Sequence, residues 1–219
     1  MIQFEHMEGI GILTMSRPNR TNAFTYDMYT QYSDYLDACS ADSTIKAVII
    51  QGANDNFSSG NDLEDFLANG ISLKNNDALS PPERAVKTLC YFNKPIIGAV
   101  EGAAAGFGAT MLLHFDRVIM AEGSYLLYPF SNIGVVPEAG STMLLPKAVG
   151  LLKAKKLLVE ASPINQDEAF HLGLATDLAP KAEALNEALK ITKELIRKPI
   201  EALYKTKSLI RGSSDELWA

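Results

Sequence analysis

The spacing of apolar residues changes period several times along the chain. Residues 11–15 alternate apolar and polar and stop at Arg17-Pro18, which predicts a strand. Over 22–39, Phe24, Met28, Tyr32, Tyr35 and Leu36 recur at helical spacing. Residues 46–51, Lys-Ala-Val-Ile-Ile-Gln, form the short β-branched run of a strand buried in a parallel sheet. A loop over 52–59 passes through Gly60-Asn61-Asp62-Leu63 into a short helix. Residues 70–82 are polar and patternless and read as the most mobile stretch of this half. A helix over 84–92 ends before Pro95. It is followed by a buried strand at 95–101, a small-residue turn at 102–106, a helix over 107–114 and a strand at 117–121. Strand, glycine turn, helix and strand in that order make the βαβ unit of a parallel sheet. Beyond residue 150 the pattern turns helical: 151–159, 166–172 closed by Gly173, 181–198, and 201–211 after Pro199. The expectation is an α/β core over 1–160 followed by an all-helical region over 161–219.

Two loops stand out. Phe57-Ser58-Ser59-Gly60-Asn61-Asp62-Leu63 follows one buried strand, and Gly102-Ala103-Ala104-Ala105-Gly106-Phe107-Gly108 follows another. Loops after parallel strands open on one edge of the sheet, where ligands bind. Each enters a helix, whose first N–H groups have no internal acceptor. Two such turns can aim two N–H donors at one oxygen, the geometry of an oxyanion hole. Small residues before a helix also serve close helix–strand packing, so neither loop is decisive alone. Neither is a GxGxxG or a phosphate loop ending in Gly-Lys-Ser/Thr, which argues against nucleotide binding.

Glu138, in Val135-Val136-Pro137-Glu138-Ala139-Gly140-Ser141, follows an apolar run near the start of a helical stretch. Apolar neighbours raise a carboxyl pKa toward neutrality, which suits a general base. A solvated glutamate favoured by the helix dipole is the other reading. His6, His114 and His171 lack a Ser or Asp partner in a recognisable motif and read as structural. Glu101 reads as an edge residue without a role.

Composition narrows the classes. The chain has 219 residues, 47% hydrophobic and 21% charged, which excludes a disordered protein. A net charge of −6 disfavours nucleic-acid binding. The two cysteines, Cys39 and Cys90, provide neither a disulfide framework nor a zinc site. The N-terminal residues lack a signal-peptide pattern, and no apolar run reaches the ~20 residues of a membrane span. The expectation is a cytoplasmic protein without a membrane or nucleic-acid partner.

Taken together the segments resemble the crotonase family, the enoyl-CoA hydratase/isomerase superfamily. The marks fall in the family's order: Ser16-Arg17-Pro18 with Asn22-Ala23, the loop 57–63, Lys94-Pro95-Ile96-Ile97-Gly98-Ala99-Val100-Glu101-Gly102, and Gly106-Phe107-Gly108. Phe115-Asp116-Arg117-Val118-Ile119-Met120-Ala121, Gly134-Val135-Val136-Pro137 and Ala169 with Gly173-Leu174-Ala175 follow. The resemblance implies a ββα superhelix (spiral), a homotrimer or hexamer, and acyl-CoA thioesters as substrates, with no metal or redox cofactor. It assigns the oxyanion-hole N–H groups to Asn61 and Phe107. It places Arg20, Ala23, Ser59, Gly60, Asp62, Leu63, Gly106, Thr110 and Phe130 along the acyl-CoA path, with Arg20 a candidate for a phosphate or a plain surface arginine. The two carboxylates of the hydratases fall at Thr110 and Phe130 here, so both are missing. Glu138 matches the single catalytic glutamate of the peroxisomal-type Δ3,Δ2-enoyl-CoA isomerases. The resemblance therefore implies a single-glutamate isomerase. Other crotonase chemistry (hydration or thioester hydrolysis) and a non-catalytic acyl-CoA-binding subunit are the alternatives. Family members continue through further C-terminal helices, so a shortened helical region is expected, with Trp218 favouring association.

Overall fold

The computed structural model describes residues 1–69 and 79–212. The chain opens with an antiparallel hairpin, β1 (Ile2–Met7) and β2 (Ile10–Met15). The apolar pattern does not predict β1, because its outward Gln3, Glu5 and His6 give an edge strand a polar surface. The first long helix, α1 (Tyr26–Ala41), starts four residues later than the periodicity suggests. Thr25 caps it by accepting from the Met28 N–H at 3.2 Å, while Phe24 stays extended. β3 (Ala47–Gly52), α2 (Leu63–Asn69), α3 (Pro81–Tyr91) and β4 (Ile96–Val100) follow. Residues 70–78 of the stretch read as mobile lie outside the described residues, as does Trp218.

The expected small-residue turn after β4 contains a short strand, β5 (Ala103–Ala105), before α4 (Phe107–Thr110). From Met111 to His114 the helix tightens to 3-10. β6 (Arg117–Ala121) and β7 (Tyr125–Leu127) repeat the scheme, and α5 (Ser141–Val149) follows a loop. In each repeat the first strand joins one sheet, the chain bends, the second strand joins another sheet, and a helix returns. These are successive ββα turns of a spiral.

The main sheet has six strands in the order β1-β2-β3-β4-β6-β9, parallel from β2 onward. The second has three, β5-β7-β8. The last two strands, β8 (Ile164–Asn165) and β9 (Asp177–Ala179), correct the expectation of an all-helical region after residue 160. Both are too short to show a period, and partner strands make them. The remaining helices are α6 (Leu151–Lys155, extended by a π turn to Glu160), α7 (Gln166–His171), α8 (Ala184–Leu195) and α9 (Ile200–Arg211).

Period-two alternation splits the main-sheet residues between two cores. Leu13, Met15, Val48, Ile50, Ile96, Val100, Val118 and Met120 face one side with α1, α3, α4 and the second sheet. Ile10, Ile12, Ala47, Ile49, Ile97, Ala99, Ile119 and Ala121 face the other, under α8. Both faces are dry, which explains the unbroken apolar run of β3. Ala184, Ala188 and Thr192 form the inner stripe of α8, small enough for the helix to lie close on the sheet.

Candidate active site

The loop after β3 is fixed from two sides. The Phe24 N–H donates to the Gly60 carbonyl at 2.7 Å, and the Asp62 N–H to the Phe24 carbonyl at 2.8 Å. This one-residue parallel bridge turns the backbone of Asn61 away from Phe24. Behind it, the Ser58 N–H donates to Ala103 O and the Ala105 N–H to Ser58 O, at 2.9 and 2.8 Å. The two glycine loops are thus hydrogen-bonded to each other. Gly60 has φ +88°, and a Cβ there would lie 2.8 Å from Ala105 O and 3.0 Å from the Phe107 nitrogen. Only glycine permits both the backbone angle and the approach.

Phe107 is the first residue of α4, with Gly106 before it. The Gly106 carbonyl accepts from both Ala109 and Thr110, at 3.0 and 2.9 Å. Among the described residues neither the Asn61 N–H nor the Phe107 N–H has an acceptor. Both are presented where the loops meet, as two donors available to one oxygen.

Tyr29 of α1 supports both donors. Its buried ring packs on Phe107 with centroids 4.9 Å apart, and its hydroxyl donates to the Asn61 side-chain oxygen. Burial, and then the nearby Glu138 charge, raise its pKa well above that of an ordinary tyrosine. Sequence reasoning missed Tyr29. The signal was a tyrosine on the inward stripe of α1, whose hydroxyl must find a partner.

Glu138 approaches from the loop before α5. Its carboxyl oxygen accepts from the Thr110 hydroxyl at 2.6 Å. Burial pushes the Glu138 pKa up to about 7, against the pull of that hydrogen bond. The Glu138 carbonyl accepts from the Ser141 N–H and hydroxyl at 3.1 and 2.7 Å, which ties the residue to the first turn of α5. Thr110 lies one turn along α4 from Phe107, and Tyr29 reaches both Asn61 and the field of Glu138. Asn61, Phe107, Thr110, Tyr29 and Glu138 therefore form one locus.

The other candidates lie around it with partners of their own. Asp62 caps α2 by accepting from the Asp65 N–H at 2.9 Å and pairs with Arg17; those contacts hold its pKa below the usual carboxylate value. Arg20 pairs with Glu64 at 3.0 Å on the exposed surface. Ser59 donates from its N–H to Thr21 O at 2.9 Å, and Gly106 from its N–H to Leu127 O at 3.0 Å. Ala23 and Phe130 are buried, whereas Leu63 is 52% exposed. Among the described residues no group of three or more His, Cys, Asp or Glu side chains is placed to hold a metal. Nor is any helix among them long and apolar enough to cross a membrane.

This α/β spiral, with two free N–H groups and a half-buried carboxyl of raised pKa in one locus, defines a class. Residues 5–217 match the enoyl-CoA hydratase/isomerase family, and the chain belongs to it. It is 32% identical over 210 residues to enoyl-CoA delta isomerase 2 of Rattus norvegicus, covering 95% of this chain and 54% of that protein. The chain thus spans about half the length of that relative. It is 30% identical over 204 residues to 2,3-dehydroadipyl-CoA hydratase of Escherichia coli, covering 93% of this chain and 79% of that one. The solved structure of Pseudomonas aeruginosa OdaA superposes with a TM-score of 0.92 at 34% identity, covering 99% of this chain and 87% of that chain. The fold is therefore the crotonase spiral expected from the sequence.

Proposed function

We propose that the chain is a Δ3,Δ2-enoyl-CoA isomerase that shifts a 3-enoyl-CoA double bond to the 2-trans position. The observation that carries this reading is a single half-buried carboxyl, Glu138, with a pKa near 7 and a threonine as its hydroxyl partner. The thioester carbonyl oxygen accepts from the N–H groups of Asn61 and Phe107. Glu138 takes a proton from C2, and the dienolate charge collects on that oxygen. Donors fixed in advance favour the charged intermediate over the neutral thioester. Glu138 then returns the proton to C4. One carboxyl near neutrality serves as base and then as acid, so this chemistry calls for no metal or redox cofactor.

The relatives bear both isomerase and hydratase names at about the same identity, which favours hydration as the second reading. Hydration needs a group to activate water beside the one that delivers the proton. At Thr110, where the family's hydratases carry a carboxylate, this chain has a hydroxyl already engaged by Glu138. The partner in this proposal is a small-molecule acyl-CoA substrate, and assembly is a homotrimer or hexamer. Val136 and Leu152, each 82% exposed, together with Val159 at 69%, supply the apolar surface that assembly would cover.

The test is conversion of a 3-enoyl-CoA to its conjugated 2-enoyl isomer, followed by ultraviolet absorbance, with Glu138→Gln alongside. Turnover in the wild type that vanishes in the variant supports the reading. Unchanged turnover in the variant overturns the role of Glu138. Hydration of a 2-enoyl-CoA without a double-bond shift replaces the isomerase with the second reading, and acyl-CoA binding without any turnover leaves a binding subunit.

A further inference from the structure

The residue after Glu138 is held in an unusual conformation. Ala139 has φ +53° and is followed by Gly140 at φ +66°, so the chain makes two left-handed steps between the carboxyl and α5. An alanine enters this region only when its surroundings fix it there. The restraint is visible: His114 Nε2 lies 2.8 Å from the Ala139 carbonyl oxygen. A carbonyl only accepts, so the imidazole carries its proton on Nε2.

His114 ends the same helical segment that carries Thr110, four residues earlier. Thr110 holds the Glu138 carboxyl, and His114 holds the backbone one residue further on. One segment thus grips the base at two points, and its first N–H, that of Phe107, is one of the two oxyanion donors. We infer that His114 is a positioning residue for Glu138, fixing the left-handed turn that aims the carboxyl into the site. This rests on the reading of Glu138 as the base.

The surroundings suit the task. Burial, together with the cationic Lys207 and Arg211 of α9, lowers the His114 pKa, while the bond to Ala139 raises it. The net lowering leaves the ring neutral at pH 7. A neutral ring restrains the backbone without placing a positive charge beside Glu138, which would stabilise the carboxylate and pull its pKa down.

The experiment compares wild type, His114→Phe and His114→Gln. The Glu138 carboxyl is titrated by infrared difference spectroscopy against Glu138→Gln, and kcat and KM are measured on a 3-enoyl-CoA. In His114→Phe the titration midpoint should fall toward the ordinary carboxylate range. Its kcat should drop by about 10²-fold with KM changed by less than about twofold, as for a misplaced catalytic group. Glutamine, whose amide N–H can reach the same carbonyl, should restore both. A folded His114→Phe with wild-type midpoint and kcat overturns the inference, as does a glutamine variant no better than phenylalanine. Should His114→Phe not fold, the ¹⁵N shifts of the wild-type imidazole decide: the Nε2–H tautomer supports the inference and the Nδ1–H tautomer overturns it. Should the wild type not isomerise at all, the isomerase reading fails by itself, while the midpoint and the tautomer still report on His114.

Discussion

The Thr110 hydroxyl donates to the Glu138 carboxyl at 2.6 Å, and its alternative acceptor, the Phe107 carbonyl, lies at 3.4 Å. A hydroxyl has one proton to give, and the ionised carboxylate is the stronger acceptor. When Glu138 takes up a proton this advantage shrinks, and the hydroxyl can turn toward Phe107. Thr110 can thus follow a proton on Glu138 without supplying a second charge, and in the proposed isomerisation one carboxyl acts as base and then as acid.

Thr110→Val keeps the shape and removes the donor. Burial then acts unopposed on Glu138, and its pKa rises further above 7. A hydrogen bond to a charged group contributes about 1.5–3 kcal/mol, so the acid limb of the kcat/KM profile should move up by about one to two pH units. At pH 7 fewer molecules carry an ionised base, and turnover falls. A profile that stays in place would show that the hydroxyl does not tune the carboxyl.

The two free N–H groups are legible in the sequence, because glycine loops that enter helices after parallel strands leave N–H groups without acceptors. Glu138 is legible too, though with two meanings. Choosing between them requires the carboxyl's surroundings, and these come from α1 and α4, far away in the chain. Tyr29 and His114 are not legible as functional. Their partners, Asn61 and Ala139, lie 32 and 25 residues away, and the contacts arise from folding rather than from local spacing. The short strands β5, β7, β8 and β9 escape for a related reason, since two or three residues carry no period. Glu101 looks idle in the sequence because its partners lie 81 and 83 residues further on.

The raised Glu138 pKa has a consequence for stability. In the unfolded chain the carboxyl ionises near 4.5, and in the folded protein near 7. The folded state therefore holds its proton more tightly, and stability declines as pH rises between these values. The stabilising contribution is complete below 4.5 and lost above about 7, a difference of as much as about 3 kcal/mol. Glu138→Gln cannot ionise. Its denaturation free energy relative to wild type should rise from pH 5 to pH 8, which urea unfolding at both pH values measures. A constant difference would place the carboxyl in solvent.

Gly60→Ala tests the junction of the loops. The new Cβ meets Ala105 O at 2.8 Å and the Phe107 nitrogen at 3.0 Å, at a backbone angle that favours glycine. The strands beneath are fixed, so the loops must part and the two donors lose their shared target. Loss of one such donor costs about 10²–10³-fold in kcat. The expected result is a fall of that order, with a folded far-ultraviolet spectrum. Asn61→Ala is the control, because it keeps the N–H and removes only the side chain bonded to Tyr29; it should cost far less than Gly60→Ala. Equal losses would assign the effect to the Asn61 side chain.

Glu101 sits at the end of β4 and reaches the start of α8, where its carboxyl oxygens accept from the Ala182 and Ala184 N–H groups at 3.2 and 3.0 Å. The residue at the N-cap of α8, Glu183, makes no capping bond with its own side chain. Glu101 therefore caps the helix from the strand end, and its charge faces the positive end of the helix dipole. Removing such a cap costs about 1–2 kcal/mol, so Glu101→Ala should lower Tm by several degrees. α8 covers the face of the main sheet carrying Ile49 and Ile97, while Phe107 and Ala139 belong to the core on the opposite face. Turnover at 25 °C should therefore stay at the wild-type value while the melting point falls. If turnover falls with it, the two faces of the sheet are coupled, and the stability of α8 reaches the candidate active site through β4.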